Sequence, residues 1–188
     1  MRLFVALSLP DEIRERLAHL EDRLPGARWV PPENLHVTLR FIGEVDGGQA
    51  HDIDAELTRL HGTAFELSLA GLGHFGEGQK TRALYARVTP SEPLTRLQQK
   101  VEQAVQRAGL KPEGRKFKPH VTLARFRAGA AGAPELERYL VGHSLFRLGP
   151  FPVADFALYQ SFLSGEGSIY RREALYPLAW SQAVAVGQ

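Results

Sequence analysis

The tetrapeptide His-Val-Thr-Leu occurs twice, as His36-Val37-Thr38-Leu39 and as His120-Val121-Thr122-Leu123. Side chains alternate faces along an extended strand. The His and Thr of each copy therefore point one way, and the Val and Leu point the other way, toward a core. Two imidazoles brought together can supply one base and one acid near the pH where imidazole exchanges protons. A phosphate diester suits such a pair. In-line displacement at phosphorus has an entering oxygen that must lose a proton and a leaving oxygen that must gain one. The threonine hydroxyls can donate hydrogen bonds to the non-bridging oxygens, where charge concentrates. Spacing alone leaves open which histidine is the acid. His-x-Thr offers one metal ligand per strand, with no carboxylate at a matching position, so neither metal nor cofactor is expected.

The elements that must hold these motifs can be read from apolar periodicity and its breaks. Strands are predicted over Leu3–Leu9, Leu35–Ile42, Phe65–Leu72, Arg82–Thr89, His120–Phe126, Phe146–Val153, Asp155–Phe162 and Ile169–Pro177. A first helix opens at Pro10-Asp11-Glu12, with Ile13, Leu17, Leu20 and Leu24 at helical spacing. Others are predicted over Gly48–His61, from Ser91 to a stop at Gly109, and over Pro134–Val141. Ala128–Pro134 reads as a loop and Gly165-Glu166-Gly167 as a tight hairpin turn.

The order is β-α-β-α-β twice, followed by two more strands. The motif copies are offset by 84 residues and fall at the second strand of each block. This predicts a duplicated half-domain. The expected fold is α+β: two pseudo-symmetric lobes, antiparallel-rich sheets facing a central cleft, and helices on the outer faces. Residues 1–188 are expected to form one bilobal domain.

Composition narrows the classes. The 44% apolar fraction fits a globular chain, and the absence of cysteine removes disulfides and thiolate chemistry. No run of about 18 apolar residues suggests a membrane span. The start is too short an apolar stretch for a signal peptide, so a cytoplasmic protein is expected. A net charge of +2 suits a local positive pocket better than a duplex-coating surface.

The two motifs with their flanks resemble the 2H phosphoesterase superfamily. Trp29-Val30-Pro31-Pro32-Glu33-Asn34-Leu35 precedes the first motif, Arg40-Phe41-Ile42-Gly43-Glu44-Val45 follows it, and Phe117-Lys118-Pro119 and Ala124-Arg125 flank the second. These segments are similar to the branch containing the RNA 2′,3′-cyclic phosphodiesterases, also called 2′-5′ RNA ligases. So are Leu3-Phe4-Val5-Ala6-Leu7 with Pro10, and Leu158-Tyr159-Gln160-Ser161 with Tyr170. The resemblance implies hydrolysis of RNA 2′,3′-cyclic phosphate ends to 2′-phosphomonoesters. It implies His36 as proton donor, His120 as proton acceptor, and Thr38 and Thr122 as phosphate-oxygen donors. The alternatives are a reversible 2′-5′ RNA ligase or phosphodiesterase, and a non-catalytic RNA-end binding module. RNA ends are the expected partner. No membrane and no obligate protein partner is expected, and the chain should act as a monomer.

Around the motifs, Arg40 shares the face of His36 if its strand is regular. Arg125 would point away from His120 unless a bulge re-aims it, although the family pattern carries an arginine there. Lys118 and Arg82 are candidates for substrate contact. Phe75, Tyr85 and Trp29 are candidates for stacking on a base. Tyr159 and Ser161 resemble family positions near the cleft. His19, His51, His61, His74 and His143 lack the paired threonine and are expected on the surface or in loops. Gly71-Leu72-Gly73-His74-Phe75-Gly76 matches a dinucleotide-binding pattern only in its letters, because no helix is predicted to follow it. A hairpin is the simpler reading.

Overall fold

A computed structural model of the chain describes residues 1–130, 132–165 and 167–180. The strands are β1 (Arg2–Ser8), β2 (Ala27–Trp29), β3 (His36–Glu44), β4 (Phe65–Phe75), β5 (Ala83–Val88), β6 (His120–Phe126), β7 (Arg147–Val153), β8 (Asp155–Ser164) and β9 (Gly167–Pro177). The helices are α1 (Asp11–Ala18), α2 (Gly47–Thr58), α3 (Glu92–Arg107) and α4 (Ala133–Gly142). The chain is α+β, as expected.

The strands form one sheet in the order β7-β4-β5-β6-β3-β1-β8-β9, with β2 alongside β6. All of these pairings are antiparallel. The order is symmetric about the seam between β6 and β3. Exchanging β6 with β3 also exchanges β5 with β1, β4 with β8, and β7 with β9. Each motif strand thus heads its own half of the sheet. At the seam the two strands share a single registered pair, Val37 with Val121.

Packing explains the local choices. Leu3–Leu7 is buried throughout, and β1 is an interior strand with β3 on one edge and β8 on the other. The α3 stripe of Leu94, Leu97, Val101, Ala104 and Val105 is buried, and the helix packs on β3 and α2. Ile13 and Leu17 of α1 and Ile53 and Leu57 of α2 join the same core. Val37, Leu39, Val121 and Leu123, the apolar members of the motifs, are no more than 3% exposed within it. Burying a side chain of this size stabilises by about 1.5–3 kcal/mol. The histidines and threonines are thereby anchored from behind.

Three local expectations are revised. Helix α1 ends at Ala18, and Leu20 and Leu24 reach the core from the turns that follow it. Strand β2 was not anticipated; three residues are too few to display an alternation. His74 lies in strand β4 and is half-buried. The glycine-rich Gly71–Gly76 segment is the end of β4 and its turn. Gly76 has φ 85°, and a Cβ there would collide with the Lys80 carbonyl, so glycine is required by the turn. A short 3₁₀ turn and then β5 follow. Strands β8 and β9 pair out to Ser164 and Gly167, while Glu166 of that turn and Ala131 of the Ala128–Pro134 loop lie outside the described residues.

Candidate active site

Both histidines stand at the first residue of their strands, each after a proline-containing approach. His36 Nδ1 lies 2.7 Å from the Asn34 carbonyl oxygen, and His120 Nδ1 lies 2.6 Å from that of Lys118. A carbonyl can only accept, so Nδ1 carries the proton in each ring. Nε2 is then the nitrogen free to exchange one. His36 Nε2 is 3.0 Å from Thr38 Oγ1. The Asn34 side chain donates to the Ser168 carbonyl at 2.8 Å, tying this approach to the β8–β9 hairpin. That hairpin brings Tyr170 edge-on to His36, with ring centroids 5.3 Å apart.

Beyond the threonines both strands are irregular in the same way. The β1–β3 register passes from Ala6–Thr38 to Val5–Arg40, skipping Leu39. The β5–β6 register passes from Tyr85–Thr122 to Leu84–Ala124, skipping Leu123. Each is a bulge that buries two successive residues and returns the next to the cleft. Arg125 is thereby re-aimed into the cleft. Arg40 also lines the cleft, as the regular-strand reading expects, but it is buried in the wall and held there by ion pairs. Its guanidinium is 8% exposed, lies 2.5 Å from Glu102 on α3 and 3.7 Å from Glu113, and donates to the Lys111 carbonyl at 2.7 Å. The Nε–H is not aimed along the short Glu102 contact, so the pair is ionic more than hydrogen-bonded.

One cleft of about 520 Å³ gathers the motif residues His36, Thr38, His120 and Thr122. Phe75, Arg82, Lys118 and Arg125 also line it. Sequence reasoning did not anticipate Phe4, Phe41, Tyr170, Arg115 and Lys116 in its wall. The basic run Arg115-Lys116-x-Lys118 was a usable signal for two of these. For Phe41 the signal was the repeat, since it occupies the position in the first motif that Arg125 occupies in the second.

Other candidates fall elsewhere. Trp29 donates from its indole to the Asp22 carbonyl at 3.0 Å and packs beside Tyr139, away from the cleft. Tyr85 packs against Phe75 and His120, with centroids 4.4 and 5.2 Å away, and supports the rings without lining the cleft. Tyr159 stacks on Phe4, and neither it nor Ser161 lines the cleft.

The cleft is cationic. Its carboxylate, Glu113, is held down to about 2 by hydrogen bonds from Arg115, so it stays ionised and paired. Burial pushes the His36 imidazole down to about 4; the Asn34 carbonyl opposes this, and the charges of Arg125 and His120 add to it. His120 is also lowered, first by burial and then by Arg125, against the Lys118 carbonyl. Arg125 thus acts on both imidazoles. An anion between them would offset that repulsion and favour protonation of a histidine.

The family model of the 2′-5′ RNA ligase superfamily matches residues 9–161. The chain belongs to this superfamily. An RNA 2′,3′-cyclic phosphodiesterase of Archaeoglobus fulgidus is 33% identical over 174 residues, covering 91% of this chain and 97% of the relative. One from Aeropyrum pernix is 35% identical over 161 residues, covering 83% and 91%. Among solved structures, TT0787 of Thermus thermophilus superposes with a TM-score of 0.80 at 28% identity, covering 97% of this chain and all of that one. E. coli LigT complexed with 3′-AMP superposes with a TM-score of 0.73 at 25% identity, covering 94% and 97%. Among the described residues no helix is long and apolar enough to cross a membrane.

Proposed function

We propose that the protein hydrolyses RNA 2′,3′-cyclic phosphate ends to 2′-phosphomonoesters, using its two motif histidines as acid and base. The observation that carries this reading is the Val37–Val121 pair, which sets two outward Nε2 atoms and two hydroxyls around one cationic cleft. The names of the relatives point to the same substrate.

His120 Nε2 takes a proton from water as its oxygen attacks phosphorus. The P–O3′ bond breaks on the opposite side, and His36 Nε2–H protonates the departing O3′. The phosphate keeps its bond to O2′. Thr38 and Thr122 donate to the non-bridging oxygens, and Arg125 balances charge that grows there in the transition state. Arg82 and Lys118 draw the RNA phosphate into the cleft. No protein partner is needed, and a cysteine-free chain suits the reducing cytoplasm. The same displacement with a 5′-hydroxyl in place of water forms a 2′-5′ linkage as O3′ departs, and its reverse cleaves that linkage, so reversible 2′-5′ joining is the second reading. Bare RNA-end binding is disfavoured because both imidazoles and both hydroxyls are present at the cleft.

The test is turnover of a nucleoside 2′,3′-cyclic phosphate, with and without chelator, in wild type, His36→Ala and His120→Ala. Each variant is expected to lose about 10²–10⁴ in rate, and phosphorus NMR should identify the 2′-monophosphate. Unaltered turnover in either variant would overturn the acid–base pair.

A further inference from the structure

We propose that Arg115 and Lys116 form a second phosphate site, which holds the RNA strand whose 5′-hydroxyl takes the place of water in 2′-5′ joining. The inference rests on the acid–base roles proposed above and adds the place of the second strand.

Position, charge and anchoring carry it. Residues 115–118 lead directly into His120, whose Nδ1 is held by the Lys118 carbonyl at 2.6 Å. Their cations therefore stand on the base's side of the cleft, from which an in-line displacement takes its entering group. Water brings no charge to that wall, whereas an RNA strand brings a phosphate one nucleoside away from its reacting hydroxyl. Arg115 and Lys116 are exposed and line the cleft. Glu113 is the carboxylate of the cleft, and Arg115 occupies it. The Arg115 backbone N–H and Nε–H donate to it at 3.1 Å, and a terminal nitrogen donates at 2.9 Å. These contacts aim the guanidinium, whose remaining N–H donors suit a phosphate. They leave Lys116 with no carboxylate in the cleft to offset its charge. The segment is also anchored from beneath. Arg40 donates to the Lys111 carbonyl at 2.7 Å, and Glu102 on α3 accepts from the Glu113 N–H at 2.9 Å. Phe117 packs against the core. A backbone fixed in advance loses little freedom when its cations meet a ligand.

In joining, the 5′-hydroxyl gives its proton to His120 Nε2 as its oxygen bonds to phosphorus. The P–O3′ bond breaks, O3′ takes the proton of His36, and O2′ keeps its bond to phosphorus. Cleavage of a 2′-5′ linkage is the reverse. O3′ attacks phosphorus and gives its proton to His36, the P–O5′ bond breaks, and His120 protonates O5′. In both directions the second strand lies on the side of His120, and its 3′-phosphate meets Arg115 and Lys116. The rival occupant of this site is the 5′-phosphate of the strand that carries the cyclic end.

The experiment uses the cleavage direction, in which one molecule carries both strands. Adenylyl-(2′→5′)-adenosine is compared with the same dinucleotide bearing a methyl phosphate on the 3′ oxygen of its second adenosine. The readout is the ratio of their kcat/KM values, from which any general effect of a substitution on turnover cancels. Wild type should favour the phosphorylated dinucleotide. The double variant Arg115→Gln, Lys116→Gln should lower that preference by about 5- to 30-fold, the range for two exposed charge pairs. Lys116→Gln alone keeps the Arg115–Glu113 contacts and should lose part of it. A wild type that shows no preference or cleaves neither dinucleotide, or a double variant that keeps the preference, overturns the proposal. So does a double variant whose loss falls instead on the preference for a 5′-methyl phosphate on adenosine 2′,3′-cyclic phosphate, which marks the rival occupant. Hydrolysis of plain adenosine 2′,3′-cyclic phosphate separates the two levels of inference. Wild-type hydrolysis with no preference between the dinucleotides sinks the second-strand site and leaves the activity standing. A preference that depends on Arg115 and Lys116 without hydrolysis supports the site, and then only the activity fails.

Discussion

Val37 and Val121 face each other across the seam where the two motif strands meet, and the symmetry of the sheet order turns about that pair. Both are fully buried. Because faces alternate along a strand, burying these two residues obliges the neighbouring His36, Thr38, His120 and Thr122 to share the opposite face. The core pair and the reactive quartet are two sides of one constraint.

The first prediction concerns pH. The kcat/KM profile should be bell-shaped and should reflect the free-enzyme pKa values. His36 sits at about 4 and His120 is also lowered from its ordinary 6.5. The active form needs His36 charged and His120 neutral. Above both values the charged fraction of His36 falls tenfold per pH unit, so activity should decline as pH rises past 6.5. Below both values both imidazoles are charged, no base remains and activity falls again. Arg125→Gln removes a charge that lowers both imidazoles, so its alkaline limb should move to higher pH. A rate climbing steadily from pH 5 to 9 contradicts the scheme.

The acid and base can be told apart by leaving group. An acidic phenol departs without a proton, so a p-nitrophenyl phosphodiester should be cleaved by His36→Ala at a rate close to wild type. His120→Ala should lose about 10²–10⁴ on both the phenyl ester and the cyclic nucleotide. The opposite pattern would assign His120 as the acid.

The buried Arg40 is expected to govern stability. Arg40→Ala strands Glu102, which is only 16% exposed, and removes the bond to Lys111. Breaking such a pair from one side costs about 3 kcal/mol or more. In a chain of this size that lowers Tm by about 6–12 °C. A combined Arg40→Met, Glu102→Leu variant should recover most of the loss in a thermal melt, because no charge is left unpaired.

Inorganic phosphate should inhibit competitively through the cationic cleft. Arg125→Gln should weaken that inhibition, and raising the salt concentration should weaken it further as surface charge is screened. Inhibition constants measured at low and high ionic strength check both effects.

The chemistry was legible in the chain because it is written in local pattern. The doubled His-x-Thr with alternating valine and leucine specifies a strand face, a buried back and a reactive front. Nine of the candidate residues, from His36 to Arg125, line one cleft. Element types followed from periodicity, with α1 misjudged at its end and the three-residue β2 missed for want of a long enough repeat. Tertiary structure decided the rest. Bulges at Leu39 and Leu123 bury Arg40 in the cleft wall and expose Arg125 within the cleft, and a one-residue slip in pairing leaves no mark on composition or period. Trp29 was drawn to Asp22 and Tyr139 instead of the cleft, and Phe41 was left uncovered in the cleft wall. A strand states which residues share a face; only its partners in the sheet determine which other face it meets.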